Sequence, residues 1–173
     1  MVRSGMKGGF GALILAAAIA NLAGCGSSAS GAETKKFAEF LGVWQFTAQS
    51  NAMEECMGVP PDMFVMEDTN QLMDPGVSSD LVSVGLFTST CNLKFNVANK
   101  VATMPTDQKC NVGAANTTDF YAVTSGTFTL TSATEAEENV VLTGKISFMS
   151  GATITQLDCK LTVVGKLIKV AND

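Results

Sequence analysis

Sulfur and carboxylate side chains are concentrated in residues 51–76 of this chain. Thioether sulfur is a soft ligand that suits Cu(I), so a methionine-rich segment raises the question of a copper site. Only one pair has the Met-x-x-Met spacing, and the chain contains no histidine to complete a site. We therefore expect no bound metal. We interpret the methionines as gap-filling side chains of a long loop, or as an adaptable apolar binding surface. They are Met53, Met57, Met63, Met66 and Met73.

The acidic side chains of the same segment suggest two other kinds of site. Oxygen ligands on a loop bind Ca²⁺, and paired carboxylates hydrolyse glycosides. The order Asp68, Asn70, Asp74 lacks the glycine and the distal glutamate of a calcium-binding helix-loop-helix. A loop also offers no rigid framework for two catalytic carboxylates. We expect no catalytic residue and no cofactor, and we predict that the protein is not an enzyme. The acids are Glu54, Glu55, Asp62, Glu67, Asp68 and Asp74.

A second acidic group lies in residues 133–139, "ATEAEEN". It consists of Glu135, Glu137 and Glu138 at a predicted hairpin tip. Several acids close together in a short polar stretch are typical of a solvated surface. We therefore predict a solubilising loop here rather than a site.

Charge and composition exclude several mechanisms and partners. Without histidine, the chain cannot use Ser-His-Asp or Cys-His catalysis or the usual histidine-bearing zinc sites. Residues 25–173 carry nine basic and sixteen acidic side chains, a net charge of −7, and no Lys/Arg cluster. This balance argues against nucleic acid and anionic lipid headgroups as partners.

The first 24 residues have the layout of a secretory signal. Arg3 and Lys7 form a short basic start, and residues 10–20 contain no polar side chain. Small residues follow, as they do before a cleavage site. The apolar run is shorter than the roughly 20 residues that a spanning helix needs. We predict a signal peptide over residues 1–24.

The sequence Leu22-Ala23-Gly24-Cys25 resembles the lipobox of bacterial lipoproteins. The resemblance implies cleavage after Gly24, a diacylglycerol on Cys25 and an acylated amino terminus. Several acyl chains together hold a protein durably on a bilayer. No Asp follows the cysteine, which by analogy favours the outer membrane over the inner membrane of the cell envelope. Residues 25–33 are the lipidated cysteine and a flexible tether, and residues 34–173 form the folded domain.

Four further cysteines remain for the folded domain, namely Cys56, Cys91, Cys110 and Cys159. An even number in an exported chain indicates two disulfides. A hairpin turning at residues 99–100 would bring Cys91 near Cys110, which favours Cys91–Cys110 with Cys56–Cys159. The pairing Cys56–Cys91 with Cys110–Cys159 remains open.

Apolar and polar residues alternate in several stretches, a pattern typical of half-buried antiparallel strands. No long amphipathic helix follows residue 41. We predict an all-β fold, an antiparallel meander that closes as a barrel or a sandwich, with a short N-terminal helical turn over residues 34–41. Apolar residues that share a strand face are Trp44 and Phe46; Cys91, Leu93, Phe95 and Val97; Val140, Leu142, Ile146 and Phe148; and Leu157, Cys159, Leu161 and Val163.

Residues 37–44, "FAEFLGVW", resemble the opening of lipocalins, in which a helical turn precedes Gly-x-Trp on the first strand. Gly42 and Trp44 match that motif. Residues 118–123, "TDFYAV", look like the second lipocalin motif, with phenylalanine in place of tyrosine. The third motif, an arginine that stacks on the tryptophan, has no counterpart, because the only arginine is in the signal.

The chain as a whole also resembles the small disulfide-bearing lipoproteins of myxobacteria. We therefore expect an envelope-anchored lipoprotein whose β domain binds an envelope protein or has a structural role. The alternative is a lipocalin-like carrier of a small apolar ligand. An open interior would favour the carrier, and a filled interior would favour an interaction module. The residues expected to line such a cavity are Trp44, Phe46, Leu93 and Phe95.

Overall fold

The structure is a computed structural model that describes residues 37–75, 81–84, 91–112, 118–150 and 153–172. The predicted signal peptide over residues 1–24, Cys25 and the predicted tether lie outside the described residues. Every regular element in the described part is a β-strand. The strands are β1 (Gly42–Phe46), β2 (Asn51–Cys56), β3 (Asp62–Val65), β4 (Asn70–Pro75), β5 (Leu81–Val84), β6 (Asn92–Ala98), β7 (Val101–Thr103), β8 (Lys109–Asn111), β9 (Phe120–Leu130), β10 (Glu135–Ser150) and β11 (Thr153–Ala171).

These strands occupy eight positions in one closed antiparallel ring. Three positions hold two strands end to end: β1 with β2, β3 with β4, and β7 with β8. Each position pairs with the next one along the chain, and β11 in the last position pairs with β1 and β2 in the first. The predicted all-β antiparallel meander is therefore confirmed, and it closes on itself as a barrel does.

Sequence alternation separates the inside of the ring from the outside. In β6, Leu93 and Phe95 are at most 2% exposed, whereas the residues between and beside them are exposed. The same period of two runs through β9 and β11, as expected when successive side chains point to opposite faces of a strand. The largest fully buried apolar side chains are Trp44, Phe40, Phe46, Phe128, Met73, Leu81, Leu93, Leu142 and Leu167.

Two segments predicted as loops are strands. Residues 51–75 contain β2, β3 and β4, and Met73 in that segment is fully buried. The acidic stretch of residues 133–139 is mostly the start of β10, because the turn before it occupies residues 131–134. Polar composition misled both predictions, since a strand that faces water on one side needs apolar residues only at alternate positions.

The chain enters the ring through a short turn. The amide of Phe40 donates a hydrogen bond of 2.9 Å to the carbonyl of Phe37, and β1 begins at Gly42. The predicted helical turn over residues 34–41 is, in its described part, one hydrogen-bonded turn and not a helix, and residues 34–36 lie outside the described residues. No helix among the described residues has the length and apolar character needed to cross a membrane.

The cysteines of the folded domain are paired as Cys56–Cys159 and Cys91–Cys110, with Cα–Cα distances of 4.1 and 5.1 Å. This is the pairing that the predicted hairpin favoured, and the alternative is wrong. The first pair joins directly opposed residues of β2 and β11, at the seam where the ring closes. The second links the residue before β6 to β8.

The ring has two unlike ends. The plugged end carries the entry turn at residues 37–40 and the turns at residues 99–100 and 131–134. The hairpin end carries the turn after β2 and the tip of the β10–β11 hairpin. That tip projects beyond its neighbours, because the pairing of β10 with β9 stops at Lys145 and the pairing of β11 with β2 stops at Cys159.

Candidate functional site

The interior at the plugged end is filled. Trp44 is fully buried and meets the ring of Phe128 edge to face, with ring centroids 5.2 Å apart. The Phe46 ring lies close to the backbone of Gly165. A Cβ atom added to Gly165 would be 2.5 Å from a carbon of that ring. The four residues expected to line a ligand cavity are all at most 2% exposed and belong to the buried core: Trp44, Phe46, Leu93 and Phe95.

A lysine packs against the buried tryptophan at the plugged end. Lys169 near the end of β11 places its Nζ 4.9 Å from the ring centroid of Trp44 and donates a hydrogen bond of 2.8 Å to the carbonyl of Glu39. Burial lowers the pKa of Lys169, and the carboxylate of Glu39 opposes this shift. The lipocalin resemblance implies an arginine at this place and gives no sign of a lysine. The pairing of β1 with β11 sets Lys169 directly opposite Trp44.

Beside the plug lies a buried polar layer, formed by Gln71 on β4, Ser83 on β5 and Glu138 on β10. Gln71 Nε2 donates to Ser83 Oγ at 2.8 Å and to Glu138 Oε1 at 3.3 Å. The sulfur of Met73 lies 3.8 Å from the same nitrogen. Burial raises the pKa of Glu138 to about 8, and the hydrogen bond from Gln71 only partly opposes this. The acid predicted to be solvated is thus inside the ring, while Glu135 and Glu137 face outward as expected.

The hairpin end has a cleft of about 330 Å³ between the turn after β2 and the projecting β10–β11 hairpin. Phe148, Val59 and two prolines supply apolar walls. Inside the ring, the hydroxyl of Tyr121 on β9 donates a hydrogen bond to the carboxylate of Glu54 on β2. This hydrogen bond from across the ring orients the carboxylate. Burial, followed by the hydrogen bond and the charge of Glu54, raises the pKa of Tyr121. The lining residues are Glu54, Cys56, Val59, Pro60, Pro61, Asp62 and Phe148.

The projecting hairpin is braced at its base. The hydroxyl and the backbone amide of Ser147 both donate to the carboxylate of Asp119, at 2.6 and 3.0 Å. Gln156 on the other arm donates to Thr118 Oγ1 at 2.6 Å. Burial would raise the pKa of Asp119, but the hydrogen bonds from Ser147 and Gln156 prevail and lower it. These contacts hold the wall of the cleft against the chain that precedes β9.

Exposed apolar side chains gather at the hairpin end. Met149 and Ile154 are cross-strand partners near the tip of β10–β11 and are 77% and 66% exposed. The β2–β3 hairpin adds Met57 and Met63. Two of the methionines in residues 51–76 therefore do face solvent, as an adaptable apolar surface requires, whereas Met73 belongs to the core.

One group of potential metal ligands occurs in the described residues, namely Glu54, Cys56 and Cys159. Both sulfurs belong to a disulfide, so neither is the thiolate that binds a metal. Two other clefts, of about 530 and 450 Å³, are lined largely by residues of β10 and β11. None of the three clefts is lined by the four residues that were expected to form a ligand cavity.

Comparison of the chain with protein-family models, curated proteins and solved structures finds no match. The hairpin end combines an apolar cleft, exposed apolar side chains and one oriented carboxylate, which suits binding by burial of apolar surface with a single polar contact. The sequence suggested an acidic loop at Glu54, whereas the structure places Glu54 on β2 opposite Leu161 of β11, from where it accepts the hydrogen bond of Tyr121 on β9.

Proposed function

We propose that this protein is a lipid-anchored lipoprotein of a bacterial envelope, and that its β domain is a non-enzymatic binding module that uses the hairpin end. The observation that carries the proposal is the cysteine pairing. Four of the five cysteines form two disulfides. Cys25, the remaining cysteine, is the one in the lipobox-like sequence, where acylation requires a free thiol. Disulfides also suit the oxidising compartments outside the cytoplasm.

The position of the chain entry supports the choice of the hairpin end. The described part begins at Phe37 on the plugged end, twelve residues after Cys25. A chain of that length, if flexible, spans about 20 Å on average. An anchor at Cys25 would therefore keep the plugged end near the bilayer and direct the hairpin end away from it. The packing of Trp44 against Phe128 inside the plugged end supports an interaction module more than a carrier, because a carrier needs an open interior.

The anchor is tested by replacing Cys25 with alanine in the native host. We expect the variant to accumulate as uncleaved precursor or to leave the membrane fraction, and to incorporate no labelled palmitate. The matched control is Cys56→Ala/Cys159→Ala, which removes two other cysteines but leaves the lipobox-like sequence intact and should still be labelled. If the Cys25 variant fractionates and migrates like wild type, the proposed anchor is wrong.

A second candidate function, a carrier of a small apolar ligand, is favoured by the contact of Lys169 with Trp44. The lipocalin resemblance implied a cation stacked on this tryptophan, and Lys169 supplies one from the last strand. Since the interior beside Trp44 is filled, such a ligand would occupy the cleft at the hairpin end, against Phe148.

Native mass spectrometry of protein purified from its own host tests the carrier. A reproducible small molecule should co-purify with wild type and be lost from Phe148→Asp, which places a charge in the cleft wall. It should be retained by Met149→Asp, because that side chain is exposed. The absence of any bound molecule across preparations would refute the carrier and leave the interaction module.

A further inference from the structure

Two buried oxygen atoms of the polar layer have no hydrogen-bond partner. They are Oε1 of Gln71 and Oε2 of Glu138, on side chains that are both 0% exposed. Buried polar groups are nearly always hydrogen-bonded, because leaving one unpaired costs about 1–3 kcal/mol. Two such atoms on adjacent side chains therefore need a common explanation.

The existing contacts determine which bond is missing. Gln71 Nε2 has two hydrogens and donates to Ser83 Oγ at 2.8 Å and to Glu138 Oε1 at 3.3 Å. The amide oxygen and the second carboxyl oxygen are left over. Both are acceptors when Glu138 is ionised, so no bond can form between them. When Glu138 is protonated, its hydroxyl becomes a donor.

We propose that Glu138 holds a proton on Oε2 and donates it to Oε1 of Gln71, so that the two side chains form a cyclic acid–amide pair. The pair links β10 to β4 across the interior, and Ser83 extends it to β5. We call this pair a lock, because it connects the strands only while Glu138 holds its proton. No covalent bond changes, because the proton is exchanged with solvent when the acid ionises.

The surroundings of Glu138 favour the protonated form. Its cross-strand partners are Phe128 on β9 and Gly165 on β11, neither of which carries a charge. The neighbouring acids Glu135 and Glu137 lie on the exposed outer face and supply no positive charge. A buried carboxylate that lacks a cationic partner normally takes up a proton instead of remaining charged.

Nearby cations are otherwise placed. Lys166 on β11 lies on the exposed outer face, opposite Glu137. Lys169 is bound to the carbonyl of Glu39 and lies over Trp44. Gln71 and Ser83, which reach Glu138 from β4 and β5, are uncharged. Reversing the amide of Gln71 would not remove the need for a proton, since its oxygen would then face Glu138 Oε1 and Glu138 would still have to donate.

The sign of the pH effect follows from the pKa of Glu138, which rises from an ordinary 4.5 to about 8 in the folded protein. Between these values the folded protein binds a proton that the unfolded chain does not. Stability contributed by the pair is therefore fully present below 4.5, declines as the pH rises, and is lost above 8. The lock is closed in mildly acidic solution and open in alkaline solution.

The test is the pH dependence of urea unfolding of the full-length protein with its disulfides intact. The unfolding equilibrium constant of wild type, divided by that of Glu138→Gln, should rise about tenfold per pH unit between pH 5 and 8 and level off above 8. Glu137→Gln, one residue away on the outer face, is the control and should follow wild type. A ratio that stays constant over this range would overturn the proposal.

A second measurement does not require a variant to fold. In wild type, the carboxyl carbon of Glu138 observed by NMR should titrate with a midpoint near 8, and the side-chain amide resonances of Gln71 should shift with the same midpoint. A Glu138 midpoint near 4.5 would show that the acid is ionised at neutral pH. Amide resonances of Gln71 that ignore the titration would show that the two side chains are not paired. Either result would refute the lock.

Discussion

The two disulfides should contribute unequally to stability, because they close loops of very different length. Cys56 and Cys159 are 103 residues apart, whereas Cys91 and Cys110 are 19 apart. A cross-link stabilises the folded protein mainly by reducing the conformational entropy of the unfolded chain, and this effect grows with the logarithm of loop length. The change to make is the double alanine replacement of one pair at a time, with the other pair intact.

The chain-entropy relation gives the expected sizes. For a 103-residue loop the stabilisation is about 4.7 kcal/mol, and for a 19-residue loop it is about 3.2 kcal/mol. Cys56→Ala/Cys159→Ala should therefore lose about 1.5 kcal/mol more than Cys91→Ala/Cys110→Ala. Loss of packed sulfur works in the opposite direction, since Cys91 and Cys110 are at most 2% exposed whereas Cys56 is only half-buried. An observed excess for the long loop would thus come from the unfolded chain.

Urea unfolding under non-reducing conditions measures both quantities that matter. The midpoint and slope together give the free energy of unfolding, and the slope should rise when the long loop is released, because the unfolded chain then exposes more surface. If the Cys91/Cys110 variant loses as much stability as the Cys56/Cys159 variant, with unchanged slopes, then loop entropy does not determine the difference. Direct packing at the two sites would then be the larger effect.

Two further predictions concern β10 and its brace. Gly144→Ala should destabilise the fold by about 1–3 kcal/mol in thermal unfolding. The added Cβ would meet the backbone carbonyl of Phe120 on β9, which cannot move as a side chain can. An unchanged melting temperature would contradict this close approach of the two strands. Asp119→Asn should cost about 1–2 kcal/mol at pH 7, because an ionised carboxylate accepts the two hydrogen bonds from Ser147 more strongly than an amide does. The pKa of Asp119 is lowered from 3.8, so its contribution is present above that value and lost as the pH falls below it. The difference between wild type and Asp119→Asn in urea unfolding should therefore shrink at pH 3, and an equal difference at both pH values would exclude a role for the charge.

The alternation of apolar and polar residues was enough to predict the fold class and most of the strands. It identified the β6–β7 hairpin, whose turn at residues 99–100 also favoured the observed pairing of Cys91 with Cys110. It failed over residues 51–75, where methionines and acids conceal three strands. Burial does not follow a period of two throughout those strands, because all four residues of β3 are exposed, including its apolar ones.

The binding features were harder to predict, because they depend on which strands meet across the ring. Lys169 reaches Trp44 only because the last strand pairs with the first. Tyr121 meets Glu54 across the ring, from strands that do not pair with each other. No local pattern encodes such contacts, since they arise from the closure of the ring and from the register of distant strands.

What the sequence determined by itself was therefore the local chemistry: a period of two along the strands and enough cysteines for two cross-links. These properties depend on residue type and short spacing. The tertiary structure decided which of three neighbouring acids is inside. Glu135, Glu137 and Glu138 are nearly indistinguishable in sequence, but the register of β10 against β9 and β11 turns only Glu138 into the ring, where Gln71 of β4 donates to it. A shift of one residue would have exchanged the two faces of the strand, and with them a solvated acid for a buried one.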